Sequence, residues 1–279
     1  MQILDGKKLK IKILENLKKE VSLLDKKPTL CVIQIGNDEA SNVYIGQKEK
    51  MSNFVGYNFI HKKFDSNIEE EKLLNEIEKL NNDKNINAIL VQMPISKHLD
   101  SKKIQNKVLN TKDVDGLNDE NILKLINNKK GLFPCTACGI INLLNEYKVP
   151  IEGSKIVIVG RSFLVGTPLF FMLENLNATV TLCHSKTSNL KEITKKADIL
   201  VSATGKKHLI TKEMVKDECV IIDVGINKID NKLYGDVDFD NIKTKAKMIT
   251  PVPGGVGPMT IASLAQNILQ AYKMQNDEK

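Results

Sequence analysis

The sequence predicts an α/β protein made of two units, each with a parallel sheet covered by helices. Three observations support this fold class. Predicted strands alternate with predicted helices, several of the strands are continuous apolar runs, and the alternation begins again near residue 155. Continuous apolar strands are typical of parallel sheets buried on both faces, and their alternation with helices indicates βαβ units. The length of 279 residues also suits two domains.

The first half of the chain predicts a βαβαβ pattern preceded by a helix. Apolar residues recur at helical spacing between residues 7 and 24, and the run Leu30–Ile35 predicts a buried strand. A second helix is expected from Asp38, a residue type that caps helix N-termini, to a point just before Gly56. The remaining predicted elements are a strand at 57–63, a helix at 68–80 and a strand at 86–93.

The second half predicts a further α/β unit and a closing helix. A turn-rich stretch at 110–120 and a helix at about 136–147 lead into it. Four apolar strands are predicted at 155–159, 179–182, 198–201 and 220–223. The apolar helix predicted at about 258–273 has no following strand, so we expect it to pack back on the first unit. We place the first domain at 1–138, the second at 139–257, and the closing helix, 258–279, with the first.

Charge and hydropathy argue against two classes of protein. Lysine and arginine total 41 against 34 aspartates and glutamates, giving a net charge of +7, but Arg161 is the sole arginine. Dispersed lysines without aromatic neighbours argue against nucleic-acid binding. No stretch approaches the roughly 20 apolar residues that a membrane-spanning helix needs. Because the first ten residues also lack the apolar region of a secretion signal, we expect a cytoplasmic protein.

The five cysteines predict reduced thiols and no metal site. They are dispersed through apolar segments, which does not suit a disulfide framework. Cys135 and Cys138 form a CxxC pair, but a second ligand pair is missing and the four histidines lack ligand spacing. The pair also lies outside the βαβ opening where a thioredoxin-like redox motif belongs.

The turn from Gly160 to Pro168 is a candidate phosphate-binding turn. It joins a buried strand to a helix, where a Rossmann domain binds pyrophosphate through backbone N–H groups and the positive helix end. Gly160 allows a tight turn and Gly166 allows close helix packing, but Ser162 stands where G-x-G-x-x-G has its middle glycine. Taken alone, the spacing fits an ordinary strand-to-helix turn equally well.

The end of the next strand favours NADP over NAD. The segment His184–Thr187 contains no Asp or Glu to bind a ribose hydroxyl, and this arrangement tolerates a 2′-phosphate. Arg161 lies in the neighbouring turn, and its guanidinium can bind phosphate through two donors; pairing with a carboxylate elsewhere is the alternative.

The first unit contains candidates for the reacting site. Tyr44 and Lys48 are four residues apart on a predicted helix and share one face, although most such pairs lie on the protein surface. Gln92 ends a buried strand, at the edge where α/β sheets bind ligands. Asp115 belongs to the turn sequence Asp113–Gly116, which also suits a purely structural role.

A loop rich in proline and glycine is a further candidate. Pro251–Pro258 holds three prolines and three glycines in eight residues. Such a loop is stiff and poor in side chains, so backbone groups can approach a ligand closely. An interdomain turn seldom requires this composition.

Together these segments resemble the bifunctional methylenetetrahydrofolate dehydrogenase/cyclohydrolase (FolD) family over nearly the whole chain. The matching motifs are Ile35–Tyr44 with Lys48, Val91–Pro94, Lys112–Gly116, Pro134–Thr136, Gly160–Ser162 with Val165–Gly166, Asp223–Asn227, Gly235–Val237 and Thr250–Thr260. Their order and spacing are more specific than any one motif. The chain departs from the family at Ser96 and Ala137, where proline is usual, and at Met93, where leucine is usual. These departures affect loop stiffness more than chemistry.

The resemblance implies an N-terminal folate-binding catalytic domain, a C-terminal Rossmann-like NADP-binding domain and an active-site cleft between them. Hydride would pass from 5,10-methylenetetrahydrofolate to NADP+, and water would open the methenyl product to 10-formyltetrahydrofolate. By position, Lys48 is the catalytic lysine, Tyr44 packs on the folate and Gln92 tunes the lysine. Asp115 anchors the pterin. The folate site would also include Val91, Met93, Pro253, Gly254, Gly255, Val256 and Gly257, and the NADP site would include Gly160, Arg161, Ser162, Ser185 and Ile226.

The resemblance further implies a homodimer that serves one-carbon metabolism, including purine, methionine and histidine biosynthesis. Two alternatives remain open from the sequence. One is a monofunctional NAD(P)-dependent dehydrogenase without the hydrolytic step. The other is a nucleotide-binding regulatory protein with a decayed active site, against which the retained Tyr44, Lys48, Gln92 and Asp115 argue.

Overall fold

The computed structural model describes residues 1–230 and 232–276. The strands are β1 (Gln2–Ile3), β2 (Thr29–Ile35), β3 (Asn58–Phe64), β4 (Ala88–Val91), β5 (Lys155–Val159), β6 (Thr179–Cys183), β7 (Ile199–Ser202), β8 (Val220–Asp223), β9 (Asn227–Ile229), β10 (Lys232–Tyr234) and β11 (Met248–Ile249). The helices are α1 (Gly6–Ser22), α2 (Glu39–Val55), α3 (Glu70–Asn82), α4 (Ser101–Lys107), α5 (Asp119–Ile126), α6 (Cys135–Glu146), α7 (Gly166–Glu174), α8 (Leu190–Thr194), α9 (Phe239–Ile242) and α10 (Val256–Asn276). One short 3₁₀ helix covers Lys212–Met214.

The chain divides into two compact units. One, the three-stranded unit, contains residues 12–135 and the chain from residue 261 onwards. The other, the six-stranded unit, contains residues 1–11 and 136–260. The boundaries between the units fall inside α1, α6 and α10.

The three-stranded unit is a parallel sheet with an apolar core on each face. Its strand order is β3-β2-β4, and all pairs are parallel. Successive residues of the central strand β2 point to opposite faces. Leu30 and Val32 therefore pack into one core with Ile268 of α10, whereas Ile33 packs into the other core with Ile77 of α3. The predicted parallel sheet with two covered faces is confirmed for this unit.

The six-stranded unit contains a larger parallel sheet with the order β1-β11-β8-β7-β5-β6. Every pairing in this sheet is parallel, and a separate antiparallel hairpin is formed by β9 and β10. Because the strands are parallel, the segments that follow β5, β6, β7 and β8 all leave the sheet at its carboxyl edge. Ligands of open α/β sheets bind at this edge.

The elements that carried a clear sequence pattern lie within a few residues of their predicted positions. The exceptions are short. Helices α4, α8 and α9, the 3₁₀ helix and the strands β1, β9, β10 and β11 were not predicted, and α5 begins inside the predicted turn-rich stretch. Gln2 and Ile3 of β1 pair with β11, so residues 1–11 group with the six-stranded unit and not, as the predicted boundary had it, with the first domain.

Across residues 1–230 and 232–276, no helix combines the length and apolar character needed to cross a membrane. The same ranges contain no group of three or more His, Cys, Asp or Glu side chains arranged to hold a metal ion. The five cysteines form no disulfide bond with one another.

Candidate active site

Helix α2 carries Tyr44 and Lys48. It begins after Asp38, whose carboxylate accepts a hydrogen bond from the Ser41 N–H at 2.8 Å and so satisfies a helix N-terminal donor. One turn separates Tyr44 from Lys48, so both side chains leave the same face. Tyr44 is 48% exposed, which leaves its ring available to stack on a planar ligand.

Gln92 follows β4 and holds the lysine. Lys48 Nζ donates to Gln92 Oε1 at 2.7 Å, and Gln92 Nε2 donates to the Met93 carbonyl at 2.6 Å. The second bond fixes which end of the amide faces the lysine, because the NH₂ group is already engaged. The amine therefore has a defined position although its stem is flexible.

Burial and a nearby carboxylate act in opposite directions on Lys48. Burial disfavours the ammonium ion and lowers the pKa of Lys48, while the negative charge of Asp115 opposes this shift. Burial likewise raises the pKa of Asp115, and the Lys48 charge opposes that shift. The described residues give the Asp115 carboxylate no hydrogen-bond partner. The site thus contains an amine whose pKa is lowered by burial and a carboxylate without a hydrogen-bond partner among the described residues.

Asp113 holds the turn that presents Asp115. Its buried carboxylate accepts hydrogen bonds from the backbone N–H groups of Gly116 at 3.2 Å and Asn118 at 2.8 Å, and from Asn121 Nδ2 at 3.2 Å. Burial raises the pKa of Asp113 to about 6, although these donors favour its charged form. The two aspartates of the Asp113–Gly116 turn therefore differ: Asp113 holds the backbone of the turn, whereas Asp115 has no hydrogen-bond partner among the described residues.

Asn267 of α10 fixes the same turn from the other side. Its side-chain Nδ2 donates to the carbonyls of Val114 and Phe133, each at 2.9 Å. Gly116 lies between these points with a φ of 73°, and a Cβ at this position would be 2.2 Å from the Phe133 carbonyl carbon. Only glycine fits there.

In the six-stranded unit, the predicted phosphate-binding turn lies at the carboxyl edge of the sheet. Gly160 has a φ of 114°, and a Cβ there would lie 2.2 Å from the Ala203 carbonyl oxygen. A Cβ at Gly166, the first residue of α7, would lie 1.9 Å from the Gly160 carbonyl oxygen. The two glycines therefore bring the helix N-terminus against the strand end, and Arg161 and Ser162 between them are exposed.

Other predicted cofactor residues follow neighbouring strands of that sheet. Ser185 is exposed after β6, and Ile226 is 52% exposed after β8. The described segment after β6 carries no acidic side chain. This set fits a dinucleotide with a phosphorylated ribose: a helix N-terminus, an arginine, a serine hydroxyl and an exposed apolar side chain on one sheet edge.

The proline- and glycine-rich loop also belongs to the six-stranded unit. Its turn is closed by a hydrogen bond from the Gly255 N–H to the Pro251 carbonyl at 2.8 Å, and the Gly254 carbonyl accepts from the Lys7 N–H at 3.1 Å. A Cβ at Gly257 would lie 3.8 Å from Ile226 Cδ1. A residue predicted to bind folate thus neighbours one predicted to bind the cofactor.

The structure places the predicted residues in two sets. Tyr44, Lys48, Val91, Gln92, Met93 and Asp115 belong to the three-stranded unit, and the loop and cofactor residues belong to the six-stranded unit. The side chains of Val91 and Val256 are buried, so these two residues can offer a ligand only their backbone. Pro253 and Gly257 are exposed, whereas Gly254 and Gly255 are buried.

Sequence reasoning missed the residues that support these sets. Asp113 and Asn267 in one unit, and Asp223 and Asp236 in the other, have buried polar side chains that bond loop backbone. The available signal was an aspartate within three residues of a glycine, which occurs at Asp113, Asp223 and Asp236.

Comparison with known proteins identifies the family. The description "Tetrahydrofolate dehydrogenase/cyclohydrolase, catalytic domain" matches residues 4–115, and "Tetrahydrofolate dehydrogenase/cyclohydrolase, NAD(P)-binding domain" matches residues 134–276. The chain belongs to this family. The bifunctional FolD protein of Hydrogenobaculum sp. is 46% identical over 99% of this chain and 100% of its own length.

Solved structures of the dehydrogenase/cyclohydrolase family agree with this assignment. The bifunctional FolD enzyme of Campylobacter jejuni has a TM-score of 0.96 and 39% identity, covering 98% of this chain and 99% of its own. The Trypanosoma brucei enzyme, solved with NADP and an inhibitor, has a TM-score of 0.92 and 33% identity, covering 98% of this chain and 97% of its own.

We predict that Gly116→Ala displaces the turn that carries Asp115. The added methyl group collides with Phe133, so the KM for the folate substrate should rise at least about tenfold, the equivalent of ~1.4 kcal/mol. Gly153→Ala is the matched control, since Gly153 has a φ of 72° and nothing within 4 Å of an added Cβ. It should cost about 1 kcal/mol of stability through backbone strain alone and leave the KM unchanged. Equal KM values for the two variants would contradict the prediction.

Proposed function

We propose that this chain oxidises 5,10-methylenetetrahydrofolate to the 5,10-methenyl form with NADP+ and then hydrolyses that product to 10-formyltetrahydrofolate. Family membership over both domains supports the two activities together, and it does not favour the monofunctional dehydrogenase. The observation that carries the hydrolytic step is the bond from Lys48 to Gln92 at 2.7 Å beside the open Asp115 carboxylate.

Lys48 is the group that moves protons during hydrolysis. Water adds to the carbon of the methenyl bridge, and the amine accepts the proton that the water loses. When the carbon–nitrogen bond of the bridge breaks, the ammonium ion donates a proton to the departing ring nitrogen, and the hydroxyl group of the adduct loses its proton to solvent as the formyl C=O forms. A lysine can serve both steps near neutral pH only if its pKa is depressed, and burial lowers the pKa of Lys48.

The other residues of this set bind and orient the folate. Asp115 accepts hydrogen bonds from the N–H groups of the pterin, because its carboxylate oxygens have lone pairs that no described residue uses. Burial raises the pKa of Asp115, and donors on a bound ligand would stabilise its charged form. Tyr44 covers the ring face with its exposed ring. Gln92 keeps the amine in place, and the backbone at Met93 offers the folate a further contact.

The cofactor set binds NADP, which supplies the hydride acceptor. The α7 N-terminus with Gly160 and Ser162 receives the pyrophosphate, and Arg161 with Ser185 receives the 2′-phosphate. Ile226 offers an apolar contact. The protein's contribution to the oxidation is therefore orientation of two planar rings.

We also propose that the enzyme acts in the cytoplasm as a homodimer and supplies one-carbon units to purine, methionine and histidine biosynthesis. The similarity to full-length bifunctional FolD proteins supports this reading. Light scattering coupled to size-exclusion chromatography tests the dimer.

Replacing Lys48 separates the two activities. Lys48→Met should abolish hydrolysis of methenyltetrahydrofolate, because it removes the amine that transfers the protons, while retaining part of the NADP-dependent oxidation. Both rates can be followed optically by the methenyl absorption band. Lys50→Met, on the same helix but exposed, is the control and should retain both activities. Undiminished hydrolysis in Lys48→Met would remove the amine from the mechanism.

Removing the Asp115 charge should shift the pH profile of hydrolysis towards lower pH. The carboxylate raises the pKa of Lys48, so Asp115→Asn lowers that pKa further, and the amine becomes neutral at a lower pH. The folate Kd should also increase. Rates at saturating substrate between about pH 6 and 10 measure the shift, and the exposed Asp119→Asn is the control. If the pH profile of Asp115→Asn stays in place or moves towards higher pH, the electrostatic coupling between Asp115 and Lys48 is disproved.

Arg161 is expected to determine the preference for NADP. Wild-type enzyme should show a higher kcat/KM with NADP+ than with NAD+. Arg161→Ala should reduce the value for NADP+ by about 10–100-fold, since a hydrogen bond between charged groups contributes ~1.5–3 kcal/mol, and it should scarcely change the value for NAD+. Lys195→Ala on the same unit is the control. A wild-type preference for NAD+ would refute the assignment.

A further inference from the structure

Asp236 is a fully buried carboxylate at the centre of a hydrogen-bond network in the six-stranded unit. One oxygen, Oδ2, accepts from Ser202 Oγ at 3.0 Å, the Thr204 N–H at 2.6 Å and Thr204 Oγ1 at 2.9 Å. The other, Oδ1, accepts from the Lys206 N–H at 2.8 Å and from Asn227 Nδ2 at 3.4 Å. The network therefore joins the segment after β7 to the segment after β8.

A second buried carboxylate, Asp223, interlocks with the first. Its oxygens accept from the backbone N–H groups of Gly225, Asp236 and Val237 at 3.1, 2.9 and 2.9 Å. A Cβ at Gly225 would lie 2.0 Å from Asp236 Oδ1, and a Cβ at Gly235 would lie 1.8 Å from Asp223 Oδ2. Each carboxylate thus occupies the space that a side chain on the opposite glycine would fill.

The residues on both sides of Ile226 are held by the two interlocked carboxylates. This residue lies between Gly225, which contacts Asp236, and Asn227, which donates to Asp236. Its own side chain is 52% exposed at the carboxyl edge of the sheet. The backbone on both sides of an exposed apolar side chain is therefore fixed by one buried charge.

We infer that Asp236 is a positioning residue for NADP: it holds Ile226 and the segment after β7 in the arrangement that receives the cofactor. This inference rests on the proposed function, which assigns NADP to this edge. Both carboxylate oxygens of Asp236 are already occupied by donors from the segments after β7 and β8. Asp236 therefore acts through the loops and is not a catalytic residue.

The donor pattern explains why a carboxylate is required. Both oxygens face donors, and at least one backbone N–H points at each. An asparagine in place of Asp236 would turn its NH₂ group towards one of these N–H groups in either amide orientation. A buried donor facing a donor costs about 1–3 kcal/mol, and the cheapest escape is displacement of one of the two loops.

Asp236→Asn tests the inference through binding and through an activity that does not use the cofactor. Isothermal titration with NADP+ in the absence of folate should give a Kd at least about tenfold above wild type. Hydrolysis of methenyltetrahydrofolate, measured without NADP+, should stay within about twofold. The control is Asp238→Asn, because Asp238 bonds only the nearby Asn241 side chain among the described side chains; its Kd should equal that of wild type.

The outcomes separate this inference from the proposed function. If wild-type protein binds no NADP+, the proposed function fails. If wild type binds NADP+ and Asp236→Asn binds it equally well, or loses hydrolysis in parallel with binding, the positioning role is overturned. Should Asp236→Asn not fold, Ser202→Ala removes a single donor to the carboxylate, and Ser202→Thr restores the hydroxyl. If Ser202→Ala raises the Kd for NADP+ and Ser202→Thr returns it to the wild-type value, the inference is supported. An unchanged Kd in Ser202→Ala overturns it.

Discussion

Buried carboxylates that accept backbone N–H groups hold the functional loops of this protein. Asp113 fixes the turn before α5, and Asp223 interlocks with the segment after β10. Burial raises the pKa of Asp113 to about 6 and that of Asp223 to about 7, from an ordinary value of 3.8. A carboxylate whose pKa is higher in the folded state binds protons more readily there, so its contribution to stability decreases as the pH rises from about 4 to 7. The same carboxylates lower the stability at neutral pH and fix the positions of the loops.

The groups that we propose to act on the folate, Lys48 and Asp115, have few hydrogen-bond partners. Asp115 has no hydrogen-bond partner among the described residues, and Lys48 has only the Gln92 carbonyl oxygen. Groups left open in this way are available to a ligand, whereas a fully satisfied carboxylate such as Asp113 is not. The two aspartates of one turn therefore have different functions in the proposed folate site. A substitution at Asp113 would displace the backbone of the turn, whereas a substitution at Asp115 would remove a hydrogen-bond acceptor.

The elements that sequence could predict are those with repeating patterns. Strand β2 is buried throughout and α2 has a capping aspartate, so both were found with nearly the observed bounds. Strands β1 and β11 have two residues each, which is too short for any periodicity, and their pairing depends on contacts more than 240 residues apart in the chain. The Lys48–Gln92 bond spans 44 residues and follows from the sheet, since only the fold brings α2 beside the end of β4. Val91 was expected at the ligand, but its side chain packs into the core.

The two units support their chemistry in different ways. In the three-stranded unit the proposed site consists of side chains from a helix, a strand end and a turn. Lys48, Gln92 and Asp115 could therefore be recognised in the sequence as residue types suited to proton transfer and hydrogen bonding. In the six-stranded unit the sheet edge works largely through backbone, and glycines are needed because a Cβ would meet Ala203 at Gly160 or Asp236 at Gly225. Backbone sites leave few side-chain signals. The buried aspartates that bond this backbone, Asp223 and Asp236, are connected to it by three-dimensional contacts and not by a sequence pattern.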